Sequence, residues 1–281
     1  MSLLQVRHVT KRFGGLTAVD DVSFDVFPGT IKALIGPNGA GKSTLFNTLT
    51  GFERPDGGSV LFEGRELVGR RARDVVRAGL ARTFQNTQLF DELTAGENVM
   101  VGRQAHQGRG FAAAMLRLPP ATAEDREARA EAGRLLRLIG IEEWVDVPAA
   151  DLPAGIRRLV EIARALATGP RLLLLDEPAA GLNATEGREL VHTLYRVRDA
   201  GVTVVIVEHD MGLVMDVSDE IVVLDRGRKI AEGPPRMIQL DPVVIAAYLG
   251  GDEDDEDGPA GGPAATGSPD GGAADAEAGD A

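Results

Sequence analysis

Apolar and polar positions alternate with a period of two near the N-terminus: Leu4 and Val6, then Val22, Phe24 and Val26 set against Ser23 and Asp25. That spacing predicts half-buried strands. Pro28-Gly29 marks a turn, and Thr30 to Ile35 reads as a buried strand. A helix pattern runs from Lys42 to about Thr50, followed by a short strand from Ser59 to Phe62. From about Asp74 to Thr168 the pattern is mostly helical. Its centre, Thr122 to Ile139, is charged on one side and carries Leu135, Leu136, Leu138 and Ile139 on the other. Gln104 to Pro120 has no clear period and reads as a loop containing a short helix. Leu172 to Leu175 is a continuous apolar run, as expected of a strand covered by helices on both faces. Thr185 to Ala200 reads as a helix, and Val202 to Val207 and Glu220 to Leu224 as strands. Arg226-Gly227 marks a hairpin turn, and a short helix ends the fold at Tyr248-Leu249. No internal repeat is visible. The layout is an α/β lobe interrupted by a helical lobe.

Two segments add chemistry to this layout. Gly36-Pro37-Asn38-Gly39-Ala40-Gly41-Lys42-Ser43, followed by Thr44, lies between the Thr30 strand and the Lys42 helix. Glycines at these places let successive backbone N–H groups turn inward onto phosphate oxygens, and the helix adds the positive end of its dipole. Lys42 would reach the β- and γ-phosphates of a nucleoside triphosphate, and Ser43 would ligate Mg²⁺. The second segment is the apolar run that ends in Asp176-Glu177. Ligands of parallel sheets bind at such strand ends. Asp176 would hold Mg²⁺, directly or through water, and Glu177 would polarise the attacking water as a general base.

Composition narrows the classes. The chain has 281 residues, 43% of them hydrophobic, enough for one large core or two lobes. It has no cysteine, which excludes disulfides, thiolate metal sites and a cysteine nucleophile and fits a reducing cytosol. No apolar run approaches the ~18–20 residues of a membrane span, and no signal peptide is legible, so a membrane role is expected to pass through partners. The net charge is −13, but residues 252–281 carry ten acidic residues and no basic one, which leaves −3 for the rest. Residues 251–281 therefore read as a disordered acidic tail, and no nucleic-acid patch is visible.

With loop, strand and spacing together, the chain resembles the ATP-binding subunit of an ABC transporter from about Leu3 to Leu249. The resemblance implies ATP and Mg²⁺ as ligands and a P-loop α/β fold with an antiparallel β subdomain. It places the nucleotide-binding lobe at about 1–73 and 167–249, with an inserted helical lobe at about 74–166. It also implies that Phe13 stacks on adenine, that Gln85 contacts Mg²⁺ and the attacking water, and that His209 is the switch histidine at the γ-phosphate. Phe13-Gly14-Gly15-Leu16-Thr17-Ala18-Val19, Arg82-Thr83-Phe84-Gln85-Asn86 and Ala247-Tyr248-Leu249-Gly250 are similar to one ATPase of branched-chain amino acid importers. The partners this implies are membrane permease subunits, a second ATPase subunit in a heterodimer or homodimer, and indirectly an extracytoplasmic solute-binding protein. The expected location is the cytoplasmic face of the membrane. The lipopolysaccharide-export ATPase is a close relative, and a regulator that binds ATP with low turnover is a further alternative.

One run departs from the family. The usual signature, Leu-Ser-x-Gly-Gln, is Leu152-Pro153-Ala154-Gly155-Ile156 here. Proline lacks the hydroxyl and the N–H of the serine, and Ile156 lacks the polar amide. In the family's head-to-tail dimer this run caps the partner's ATP. Loss of one charge-assisted contact there costs about 1.5–3 kcal/mol. Two outcomes stay open: an asymmetric pair with one main hydrolytic site, or a contact carried by backbone N–H groups with little changed.

Overall fold

The computed structural model describes residues 1–83, 88–104 and 123–249. The N-terminal alternation forms two long strands, β1 (Leu4–Phe13) and β2 (Leu16–Val26). With β4 (Gly57–Phe62) and β5 (Arg65–Glu66) they make an antiparallel sheet of order β2-β1-β4-β5. A second sheet has the order β10-β9-β3-β8-β7-β6. Its strands are β3 (Ile31–Ile35), β6 (Leu80–Arg82), β7 (Leu172–Asp176), β8 (Thr203–Val207), β9 (Glu220–Asp225) and β10 (Arg228–Gly233). All pairs in it are parallel except the β9–β10 hairpin.

The continuous apolar runs follow from burial of both faces of this sheet. Leu172 and Leu174, with Val205 and Val207, face a core shared with Val6, Val22, Phe24 and helix α1 (Lys42–Leu49). Leu173, Leu175, Val204 and Ile206 face the opposite core, under helices. A strand whose side chains alternate between two apolar layers has no polar face to display.

Three longer helices, α3 (Ala95–Gln104), α4 (Ala123–Ile139) and α5 (Ala154–Leu166), pack together beside this core. Ala132, Leu136 and Ile139 are the buried stripe of α4. Asn98 of α3 is fully buried and bonds the backbone of Phe90, Leu93 and Thr94, which fixes the approach to that helix. The stretch from Asp74 to Thr168 is less uniformly helical than its pattern predicts. After the short α2 (Ala72–Arg77), Leu80–Arg82 joins the edge of the parallel sheet. Three residues are too few to show a period, and only pairing with β7 makes them a strand. The Gln104–Pro120 loop and the acidic tail lie outside the described residues, except for Gln104 itself, which ends α3.

The remaining α-helices among the described residues are α6 (Ala184–Asp199), α7 (Met211–Val217), α8 (Pro235–Ile238) and α9 (Pro242–Leu249). Helix α6 starts one residue before the expected Thr185, because Asn183 accepts from the N–H groups of Thr185 and Glu186 while Glu186 bonds back to the Asn183 N–H. No described helix is long and apolar enough to cross a membrane.

Candidate functional site

The parallel strands end together, and their following residues make the site. Gly36 follows β3 with φ 152°, where a Cβ would lie 2.1 Å from the Leu224 carbonyl oxygen of β9. Gly41 has φ 97° at the start of α1, and a Cβ there would lie 2.3 Å from the Ala18 carbonyl oxygen of β2. Both positions therefore require glycine twice over, for conformation and for space. No side chain caps α1, so its first N–H groups remain turned to the loop. Lys42 Nζ donates to the carbonyls of Gly36 (2.7 Å) and Pro37 (2.9 Å), folding the ammonium back over the loop. Burial pushes the Lys42 ammonium below the usual lysine value, while the Glu177 and Asp176 carboxylates pull it back up.

A cleft of about 530 Å³ opens over this loop. Asn38 to Thr44 form its floor, Phe13, Leu16, Thr17 and Ala18 one wall, and Glu177, Arg226 and Gly227 complete the lining. Phe13 is half exposed, with Lys11 Nζ 5.0 Å from its ring centroid. This volume and mixed lining suit a nucleotide.

Glu177 has a left-handed backbone (φ 46°), an uncommon and costly state for a residue with a Cβ. Backbone bonds to β8 and α5 help hold it there. Its N–H donates to the Val207 carbonyl of β8 (2.9 Å), and its carbonyl accepts from Arg158 Nη2 of α5 (3.1 Å). Arg158 is itself buried against Glu161 (3.1 Å). The signature-position helix thus holds the backbone of the candidate base directly.

Asp176 is buried at the end of β7, where its Oδ2 accepts from Arg82 Nη2 at 2.7 Å. Arg82 also donates to Asn47 (2.7 Å) and Thr50 (3.2 Å) and lies near the rings of Phe46 and Phe52. The pairing aims the carboxylate and places a positive charge against it. Glu208, at the end of β8, is buried and accepts from the N–H groups of Ala179 (2.7 Å) and His209 (3.2 Å). Burial raises its pKa, against the lowering effect of those donors. His209 is exposed, with Nδ1 3.9 Å from Glu208 Oε2, and is not among the residues lining the cleft.

The structure therefore brings Phe13, Asn38, Gly39, Ala40, Gly41, Lys42, Ser43, Thr44 and Glu177 around one cleft, with Gly36, Pro37 and Asp176 directly behind it. His209 stands outside it, and Gln85 lies outside the described residues. No site role is expected from the sequence for Arg82, Arg158, Glu208 or Arg226. Arg158 and Glu161, three apart on an otherwise apolar helix face, were the one legible signal of a buried pair.

A glycine-built phosphate loop on a parallel sheet, with adjacent carboxylates at a neighbouring strand end, defines a P-loop nucleotide-binding protein. The ABC transporter family model matches residues 19–180, and a model described as branched-chain amino acid ATP-binding cassette transporter matches residues 228–254. The chain is 44% identical over 249 residues to the high-affinity branched-chain amino acid transport ATP-binding protein BraF of Pseudomonas aeruginosa, covering 88% of this chain and 98% of BraF. It is 43% identical to the corresponding LivG protein of Escherichia coli K12, with the same coverage. Among solved structures, the ADP conformation of the ABC transporter cassette MJ1267 superposes with a TM-score of 0.80 at 32% identity, covering 89% of this chain and 99% of that one. The chain belongs to the ABC transporter ATP-binding family and is an ATPase of that class.

Proposed function

We propose that this chain is the ATP-hydrolysing motor of an importer for branched-chain amino acids or similar small polar solutes, working from the cytoplasmic face of the membrane. The identity to BraF and LivG over nearly their full length supports the solute class. The observation that carries the motor reading is Glu177, braced in a strained conformation by β8 and α5 on the wall of the cleft that holds Lys42.

In this reading the polyphosphate lies on residues 36–44 and the base against Phe13. Lys42 exchanges the carbonyls of Gly36 and Pro37 for the β- and γ-phosphate oxygens. Ser43 and Asp176 are the residues that would hold Mg²⁺, which supplies charge neutralisation on the phosphates. Such a donor set fits the ion, which keeps several waters and takes only one or two protein oxygens. Glu177 accepts a proton from the attacking water as its oxygen bonds to the γ-phosphorus. The bond to the β–γ bridging oxygen breaks and its electron pair leaves on ADP. His209 and Gln85 would join from the edge of the site in the closed, two-subunit state.

Closure needs a partner ATPase, and the N-terminus of α5 is the surface offered to it. Pro153 and Ala154 are exposed there, Pro153 provides no side-chain cap, and Ile156 is partly buried against the main core. The N–H groups of the first turn are left to meet the partner's phosphate. We infer a heterodimer in which this chain's own site is the main hydrolytic one. A groove lined by Thr94, Glu97, Met100, Arg129 and Asp146 is where a cytoplasmic helix of the permease would dock. The solute-binding protein would act through the permease.

Uptake of labelled leucine, isoleucine and valine tests this in cells that carry the wild-type chain, Glu177→Gln, or neither. Loss of uptake in the last two supports the reading. Uptake of all three solutes that is unchanged without the chain would overturn it.

A further inference from the structure

The hairpin between β9 and β10 turns on Arg226 and Gly227, with φ of 45° and 81°. Two successive positive φ angles are the geometry of a two-residue turn that favours asparagine, aspartate or glycine at its first position. An arginine there keeps a strained backbone, and a glycine would relieve it. Local physics thus argues against Arg226, so its side chain is the place to look for a compensating role.

Arg226 lines the nucleotide cleft. It is exposed at the cleft rim, and among the described residues no carboxylate or carbonyl accepts from its guanidinium. The turn is pinned to the cleft walls on both sides. Gly227 N–H donates to the Ala40 carbonyl of the phosphate loop (3.1 Å), and its carbonyl accepts from Asp20 N–H of β2 (2.8 Å). A Cβ on Gly227 would lie 3.0 Å from the Ala18 carbonyl oxygen. Arg226 therefore stands where the base-side wall, Thr17 and Ala18, meets the start of the phosphate loop.

We propose that Arg226 is a nucleotide-binding residue, its guanidinium meeting the acceptor oxygens of the ribose and α-phosphate. The proposal rests on the cleft reading above and adds a contact to the half of the ligand that ATP and ADP share. A guanidinium offers several N–H donors to such oxygens, and bonds to charged acceptors are the strong ones. Its loss should weaken ATP and ADP alike, roughly 10-fold or more each. A contact to the γ-phosphate would instead weaken ATP selectively.

The experiment is calorimetric titration of the full chain with Mg·ATP and with ADP, comparing wild type, Arg226→Gly and Arg226→Lys, with a melting curve for each. Arg226→Gly should bind both nucleotides at least about 10-fold more weakly while its Tm stays level or rises, because glycine relaxes the turn. A purely structural role would move Tm down with affinity. Arg226→Lys, which keeps the charge and the β-carbon, should recover part of the loss. Unchanged affinity in Arg226→Gly, or a loss confined to ATP, overturns the proposal. If wild type binds neither nucleotide, the cleft reading itself falls and the proposal falls with it.

Discussion

Arg82→Met tests how the Asp176 carboxylate is held. Arg82 and Asp176 are both nearly buried, with side-chain exposures of 9% and 7%, and meet at 2.7 Å. Removing one partner of such a pair leaves a buried charge without compensation, at a cost of about 3–5 kcal/mol. Methionine keeps much of the apolar stem against Phe46 and Phe52, so packing loss is small and the charge effect dominates. The bonds to Asn47 and Thr50 go as well, loosening β6 from the phosphate-loop helix. For a chain of this size, 3–5 kcal/mol corresponds to a fall in Tm of about 6–20 °C. Urea unfolding of wild type, Arg82→Met and Arg82→Lys, read by circular dichroism, measures the effect. Lysine restores the charge but cannot reach three acceptors at once, so it should fall between the other two. A stability loss below about 1 kcal/mol for Arg82→Met, the value expected of a solvated surface pair, would refute the claim that this pair is sealed from water.

Two further outcomes follow from the same geometry. Burial raises the folded pKa of Glu208 above its ordinary 4.5, so the native state binds more protons than the unfolded chain above that pH. The stability contribution is full below 4.5 and is lost as pH rises through the folded pKa. Relative to wild type, Glu208→Gln should gain stability as pH rises above about 4.5 in paired pH–melting series, and a flat difference would contradict the burial assignment. Separately, the double change Pro153→Ser with Ile156→Gln should raise ATP turnover of the isolated chain by roughly 10-fold or more if the altered signature limits a homodimer. Equal turnover would mean that the backbone N–H groups of α5 carry the contact.

The phosphate loop was legible because its chemistry is local: glycines, lysine and serine at fixed offsets between a strand and a helix. The β7 and β8 runs were legible because both faces are buried. What escaped notice depends on partners far apart in the chain. Arg82 and Asp176 are 94 residues apart, and nothing near either residue announces the pair. Lys32 lies in the middle of a strand read as buried and is indeed buried. It is accommodated by Glu220 of β9 (2.9 Å) and Glu232 of β10 (2.7 Å), which only the strand order brings together. The short strand β6 has no periodicity of its own, and the strain at Glu177 and Arg226 is a backbone property that composition does not reveal. Phe13, which the family resemblance implied, lines the cleft, whereas His209 lies on the exposed side of Glu208.

In the proposed function the cleft binds ATP through Lys42 and hydrolyses it through Glu177. The most direct measurement is ATP binding and phosphate release side by side for wild type, Lys42→Ala and Glu177→Gln, each assembled with its transporter partners. Glu177→Gln should bind ATP as tightly as wild type while its turnover falls by about 100-fold or more, and Lys42→Ala should lose binding at this chain's site. Turnover that persists at the wild-type rate in Glu177→Gln would contradict the account.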